Sequence, residues 1–311
     1  TQNFIGQLAY FIPPWLLPLM QDTRYFDNMV DGAGGLAIAL GVMMIAGGVL
    51  PAIFLRERTP IAAMAEMPMS IRQPGWSLMQ TAVHRVRDFF QGFAKALSFK
   101  PFLKLCLATF LVFNGFILIA SFSTYVIIYY VCAGDTVKGA EYAAYAGTLG
   151  TLSTFLVIAF VTWLATRIGK RLTFAISTGI SMLGYVLKWF CYQPDNPWLV
   201  VLPAPLLAFG LGGLFTLMPS MMADIVDLDE LESHERREGM YGSIYWWVVK
   251  LGMTAALAGG GFLLNATGFK VELGGAQADS TITLLRLCDT SIPVVASAIA
   301  IRAVATLRID Q

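Results

Sequence analysis

The chain has 311 residues, 57% of them hydrophobic and 13% charged, with a formal net charge of +1. A soluble domain is about one quarter charged, so this composition, with a mean hydropathy of +0.66, excludes an ordinary soluble domain and predicts an all-α, polytopic membrane helix bundle. The near-zero net charge offers no field to attract nucleic acid or an acidic partner.

A membrane helix needs about 20 apolar residues, and eight candidate spans follow in chain order. The first, 3–20, begins almost at Thr1 without the basic start or small-residue cleavage site of a signal peptide. The chain therefore reads as a segment whose upstream part is missing. Pro13, Pro14 and Pro18 predict a kink in this span, tolerable where neighbours or water satisfy the freed carbonyls. The second span is 31–55. The long hydrophilic connection 56–100 comes next; within it Gln80–Phe93 places Val83, Val86, Phe89, Phe90 and Phe93 on one face. That pattern fits an amphipathic helix on the membrane surface or a linker with incidental periodicity.

Six spans follow the connection. In 142–166, after 102–131, Ala143, Gly147 and Thr151 fall four apart, as do Ala146 and Gly150, which predicts close helix packing. After the basic turn 167–171 comes 172–192, where Lys188 sits near the end beside Trp189, Phe190 and Tyr192. Snorkelling into an aromatic belt accounts for that lysine without a functional role. Span 198–222 carries Gly210, Gly212, Gly213, Pro203, Pro205 and Pro219. It is expected to be a bendable or broken span on a substrate path, the alternative being that its glycines simply pack helices. Span 240–265 is free of charge except for Lys250, and 287–307 is the weakest, interrupted by Asp289, Pro293 and Arg302.

Basic residues concentrate in 56–104, 167–171, 224–239 and the tail, and are sparse in the alternate connections. The positive-inside rule then places both chain ends in the cytoplasm. Cys106, Cys132, Cys191 and Cys288 follow no metal spacing and read as small buried hydrophobes, with a disulfide among the last three as the alternative.

Two features carry the functional expectation. Asp224, Asp227 and Glu230 recur every three residues along one helix face, at the end of a span where carboxylates oppose the macrodipole. Arg236, Arg237 or the basic turn containing Arg167 can compensate them. A pairing made in one conformation and broken in another would act as a cytoplasmic gate; the plainer alternative is a solvated acidic loop. Lys250 lies ten residues inside its span after Tyr241, Tyr245, Trp246 and Trp247. A charge at that depth costs about 2.5–3.5 kcal/mol on insertion scales, and such residues are functional by default. Aromatic faces suit a sugar ring, so Lys250, Tyr245, Trp246 and Trp247 are the candidate substrate-binding or coupling residues.

These residues resemble the glycoside–pentoside–hexuronide:cation symporter branch of the major facilitator superfamily. Its acidic pattern D-x-x-D-x-x-E is met by Asp224, Asp227 and Glu230. The Arg and Glu that follow are met by Arg236 and Glu238, and a V-V-K-G-like segment by Val248, Val249 and Lys250, with Leu251 intervening before Gly252. The turn Ala165–Arg171 is similar to the superfamily's short basic loop, with Thr166 where an Asp is usual, and Lys100-Pro101-Phe102-Leu103 is similar to the start of the family's seventh helix. The resemblance implies that the spans correspond to helices five to twelve. Residues 1–55 would end an N-terminal bundle, 56–100 form the central cytoplasmic loop, and 101–311 form a six-helix C-terminal bundle. It implies a monomer in the cell inner membrane that moves a sugar or glycoside with Na⁺ or H⁺ by alternating access. It adds Glu238 to the gate and requires no other cofactor. In the family the cation site lies on helices one to four, so no cation ligand is assigned here.

Three alternatives stand beside it. One is a lipid or other amphiphile as substrate, and another a truncated, non-transporting remnant. A membrane-embedded enzyme is disfavoured, because the only histidines, His84 and His234, fall in connections and no HExxH, GxSxG or CxxC pattern occurs.

Overall fold

The computed structural model describes residues 8–54, 87, 90, 92–234 and 237–307, which are helical apart from short turns. A 3₁₀ turn, Ala9–Phe11, leads into α1 (Pro13–Gln21), and α2 is Met29–Phe54. Then come α3 (Lys100–Val126), continued by a π-helical turn Ile127–Val131, α4 (Thr136–Ile168), α5 (Lys170–Cys191), α6 (Ala204–Ser233), α7 (Glu238–Ala266) and α8 (Asp279–Ala305). Seven of these stretches are long and apolar enough to cross a membrane, α1 being too short. The first expected span is thus broken just ahead of its paired prolines, where an N-terminal turn loses nothing to the missing Pro13 N–H. The surface helix expected over Gln80–Phe93 lies outside the described residues, but for Arg87, Phe90, Gly92 and Phe93.

The chain forms two compact units, Thr1–Pro18 with Lys95–Gln311, and Leu19–Ala94. In the second, Asn28 starts α2: its side-chain oxygen accepts from the backbone N–H of Val30 and Asp31 at 3.0 and 2.9 Å, as expected of a cap residue.

In the first unit the helix ends have local causes. Asp135 caps α4 by accepting from the Lys138 N–H at 3.0 Å. Gly169 alone links α4 to α5 at φ 85°, a conformation glycine adopts without cost. At the end of α8, the Thr306 carbonyl accepts from Lys104 Nζ at 2.9 Å and the Leu307 carbonyl accepts from Arg171, so two cations neutralise its negative dipole end.

α8 packs on α3 and α5, α6 lies against α4 and α5, and α7 covers α3. The apolar core gathers Phe122, Val126, Val131, Tyr192, Phe269 and Leu285 around the π-helical turn.

Two boundaries differ from the sequence expectation. α6 continues to Ser233, because the 224–230 carboxylates sit on exposed or paired positions of a continuous helix, not in a loop. α8 starts at Asp279, which places Asp289 ten residues inside a helix instead of at its edge.

A cavity with a buried ion pair

Along α5, Thr173, Ser177, Ser181 and Tyr185 recur every four residues, with Lys188 three further on. All five are buried, so this helix turns a polar face inward. Three of the hydroxyls are satisfied by backbone oxygens. Thr173 donates to the Gly169 carbonyl at 2.7 Å, Ser181 to that of Thr178 at 2.9 Å, and Ser177 to that of Phe209 on α6 at 2.6 Å.

The stripe ends in an ion pair. Lys188 Nζ lies 2.6 Å from Asp289 Oδ2 and donates to Asp289 Oδ1 at 2.7 Å. It also donates to Ser123 Oγ, which in turn donates to Asp289 Oδ1 at 2.8 Å. Helices α3, α5 and α8 are thereby joined at one point. The two charged side chains are 2% and 3% exposed. The ammonium also faces the rings of Tyr192 and Tyr185, 5.2 and 5.9 Å from their centroids. Tyr192, just past α5, is itself buried. One turn before Asp289, Arg286 donates to the Trp189 carbonyl at 2.9 Å and stacks on Trp189 and Tyr130. This corrects the snorkelling expectation: Lys188 points into the bundle, because a carboxylate and a hydroxyl await it there.

Lys188, Ser123, Tyr185 and Tyr192 form part of the wall of a cavity of about 440 Å³. Its other walls come from α4, α6 and the N-terminal segment. Gly147 permits that segment to approach, since a Cβ there would meet Pro14 at 2.8 Å. Trp15 Nε1 donates to Thr148 Oγ1 at 2.8 Å, and Phe11 stacks on Phe155. In the small-residue stripe of α4, Gly147 therefore makes the close approach its spacing predicts, while Ala143, Ala146, Gly150 and Thr151 border the cavity with it. On α6, Ala204, Ala208, Leu211 and Phe215 line the cavity. Its glycines face away from the cavity: Gly210 and Gly213 sit against Ser181 and Ser177 of α5, and Gly212 against Val157 of α4. Their role is close helix packing, the alternative left open by the sequence.

The candidate gate residues separate into two groups. Lys170 Nζ, from the basic turn, binds both oxygens of Asp224 at 2.7 Å and donates to the Ser220 carbonyl at 3.2 Å. Arg237 Nε lies 3.5 Å from Asp229 Oδ2; Asp229 is buried and was not among the residues singled out from sequence. Asp227, Glu238 and Arg167 are exposed, Glu230 is half-buried, and Arg236 lies outside the described residues.

Lys250 is exposed on α7, as are Trp246 and Trp247, at 51% and 56%. One turn apart, Trp246 and Lys250 share a helix face. Tyr245 turns the other way and is buried against α3, its hydroxyl beside Thr109. None of the four lines the cavity. All four cysteines are free thiols.

Lys188, Ser123 and Asp289 were the residues that sequence reasoning missed. A lone cation and a lone carboxylate in two different apolar spans were the available signal, the same signal that drew attention to Lys250.

A bundle of long apolar helices around a cavity bearing a buried ion pair is the architecture of a polytopic membrane protein. The sequence pattern of the family described as MFS/sugar transport protein matches residues 78–311, and the chain belongs to that family. It is similar to an uncharacterized symporter of Synechocystis sp., 29% identical over 151 residues, covering 47% of this chain and 27% of that protein. It is also similar to an isoprimeverose transporter of Lactiplantibacillus pentosus, 25% identical over 160 residues, covering 51% of this chain and 33% of that protein. The matched stretch thus spans a third or less of either relative. Family and helices together make this a multi-pass membrane protein of the major facilitator type, from a family of transporters and not of enzymes.

Proposed function

We propose that the protein is a secondary active transporter that moves a sugar or glycoside with Na⁺ or H⁺ by alternating access. The observation that carries this reading is the cavity of about 440 Å³ with its inward-facing Lys188 and tyrosines, within the roughly 300–1,000 Å³ range of small-molecule sites. The family, and a relative named as an isoprimeverose transporter, support a sugar as the substrate. Among the described residues no carboxylate lines the cavity, and the coupling ion is assigned outside it. Lys250, Trp246 and Trp247 form a second contact face for substrate or coupling, and Tyr245 fixes the pitch of that face against α3. Lys170–Asp224 and Arg237–Asp229 close the cytoplasmic side, with Asp227, Glu230, Glu238, Arg167 and Arg236 around them. The protein acts as a monomer with both chain ends in the cytoplasm.

Uptake into proteoliposomes tests this. A panel of labelled glycosides that includes isoprimeverose is offered under an imposed Na⁺ or H⁺ gradient. Accumulation above equilibrium that collapses with the gradient is expected. Equilibration without accumulation overturns coupling, and no uptake of any sugar overturns the reading. Lys250→Ala is expected to abolish uptake at unchanged expression; normal uptake by that variant removes Lys250 from the mechanism.

A further inference from the structure

Among the described residues, Lys188 is the one charged side chain on the cavity wall, and its charge is cancelled from behind by Asp289 at 2.6 Å. A ligand carboxylate reaching Lys188 would have to compete with Asp289 for the same protons and would approach a second negative charge within the same small volume. A cationic ligand finds no free carboxylate, since both Asp289 oxygens are occupied by Lys188 and one also by Ser123. The remaining polar groups on the wall are hydroxyls. Thr124, Thr151 and Thr154 each donate to a carbonyl four residues earlier in their own helix, which leaves their oxygen lone pairs as acceptors. Tyr185 adds a donor and an aromatic face.

We infer that the Lys188–Asp289–Ser123 cluster is a charge filter, and that this cavity takes an uncharged, hydroxyl-rich ligand while rejecting the corresponding uronate. The inference rests on the transport reading but specifies the ligand class of this one cavity. Asp289 acts as a specificity-determining residue: it holds Lys188 neutralised, and its hydrogen bonds from Lys188 and Ser123 leave the ammonium no counter-ion vacancy. A purely structural role, as a staple between α3, α5 and α8, would affect folding without altering the preference between two ligands that differ only in charge.

The test is equilibrium binding to the full polypeptide purified in detergent, by calorimetry. The probes are matched pairs of p-nitrophenyl glycosides: the glucoside with the glucuronide, and the galactoside with the galacturonide. For the native protein, at least one neutral member should bind at least tenfold more tightly than its uronate. Asp289→Asn, which unmasks the ammonium, should narrow or invert that ratio by about tenfold or more, the effect expected when a carboxylate gains a charge-assisted bond. The double variant Lys188→Gln/Asp289→Asn, which restores neutrality, should return the preference for the neutral member. Equal binding of a pair by the native protein, tighter binding of the uronate, or binding of no probe overturns the inference. So does a ratio unchanged in a folded Asp289→Asn protein. If that variant does not fold, the native ratio and the double variant decide. Sugar uptake in proteoliposomes without any charge preference would sink the filter while leaving transport intact.

Discussion

Helix α5 carries a lysine near each end, and each meets an aspartate of a neighbouring helix. Lys170 pairs with Asp224 of α6 at 2.7 Å, and Lys188 pairs with Asp289 of α8 at 2.6 Å. The chemistry and the separation are the same, yet the first pair is 34% and 33% exposed and the second 2% and 3%. Water reaches the Lys170 pair freely and the Lys188 pair hardly at all while both partners are in place. What distinguishes the two contacts is therefore the cost of being left alone, not the strength of the bond when made.

The largest test of that difference removes one buried partner. Asp289→Ala is expected to destabilise the protein by about 3–5 kcal/mol, the cost of stranding a buried charge. An SDS unfolding titration that follows reactivity of the buried thiols Cys106 and Cys191 would measure it. A loss below about 1 kcal/mol would mean that the ammonium finds water. Removing both charges sharpens the point. Lys188→Met/Asp289→Leu is expected to recover most of that stability in the same titration, because apolar replacement of a buried pair is often neutral or better. A double variant as unstable as Asp289→Ala would show that geometry, not charge, holds the three helices.

At the other end of α5, Asp224→Asn is expected to cost only about 0.2–1 kcal/mol, and less in high salt. A larger, salt-insensitive loss would erase the contrast between the two ends. The smallest effect concerns Asp135, the exposed cap of α4, whose pKa is held below the ordinary carboxylate value chiefly by the Lys138 N–H it accepts from. A depressed carboxylate pKa contributes stability above its unfolded value of 3.8 and loses it as pH falls through the lower folded value. The protection of the Lys138 amide against hydrogen exchange, relative to its intrinsic rate at each pH, is expected to fall only in that acid window, and Asp135→Ala should remove that pH-dependent loss of protection.

The spans were largely legible because bilayer thickness imposes a length and a composition that any reader can count. A partner for Asp224 in the basic turn was among the sequence expectations, and the one realised is Lys170, not Arg167; Asp227 is exposed. The buried pair was not legible. Lys188 and Asp289 are 101 residues apart, and no local pattern encodes which helices will touch. The short estimate of the last span worsened this by making Asp289 look terminal, whereas α8 begins eight residues earlier with Asp279 in a polar first turn. Aromatic neighbours of Lys188 were read as a membrane belt, and Tyr192 instead folds back over the ammonium.

Gly169 has a mechanical consequence. One residue separates α4, of 33 residues, from α5, of 22. Its N–H is given to the Ala165 carbonyl and its own carbonyl receives the Thr173 N–H, at 3.1 and 3.2 Å. A joint of one residue, with both of its backbone groups hydrogen-bonded, leaves the two helices little slack at this end. At about 1.5 Å of rise per residue, α4 is a rod of roughly 50 Å, so a small change of angle at Gly169 would be a large displacement at its far end, beyond the face on which the N-terminal segment rests.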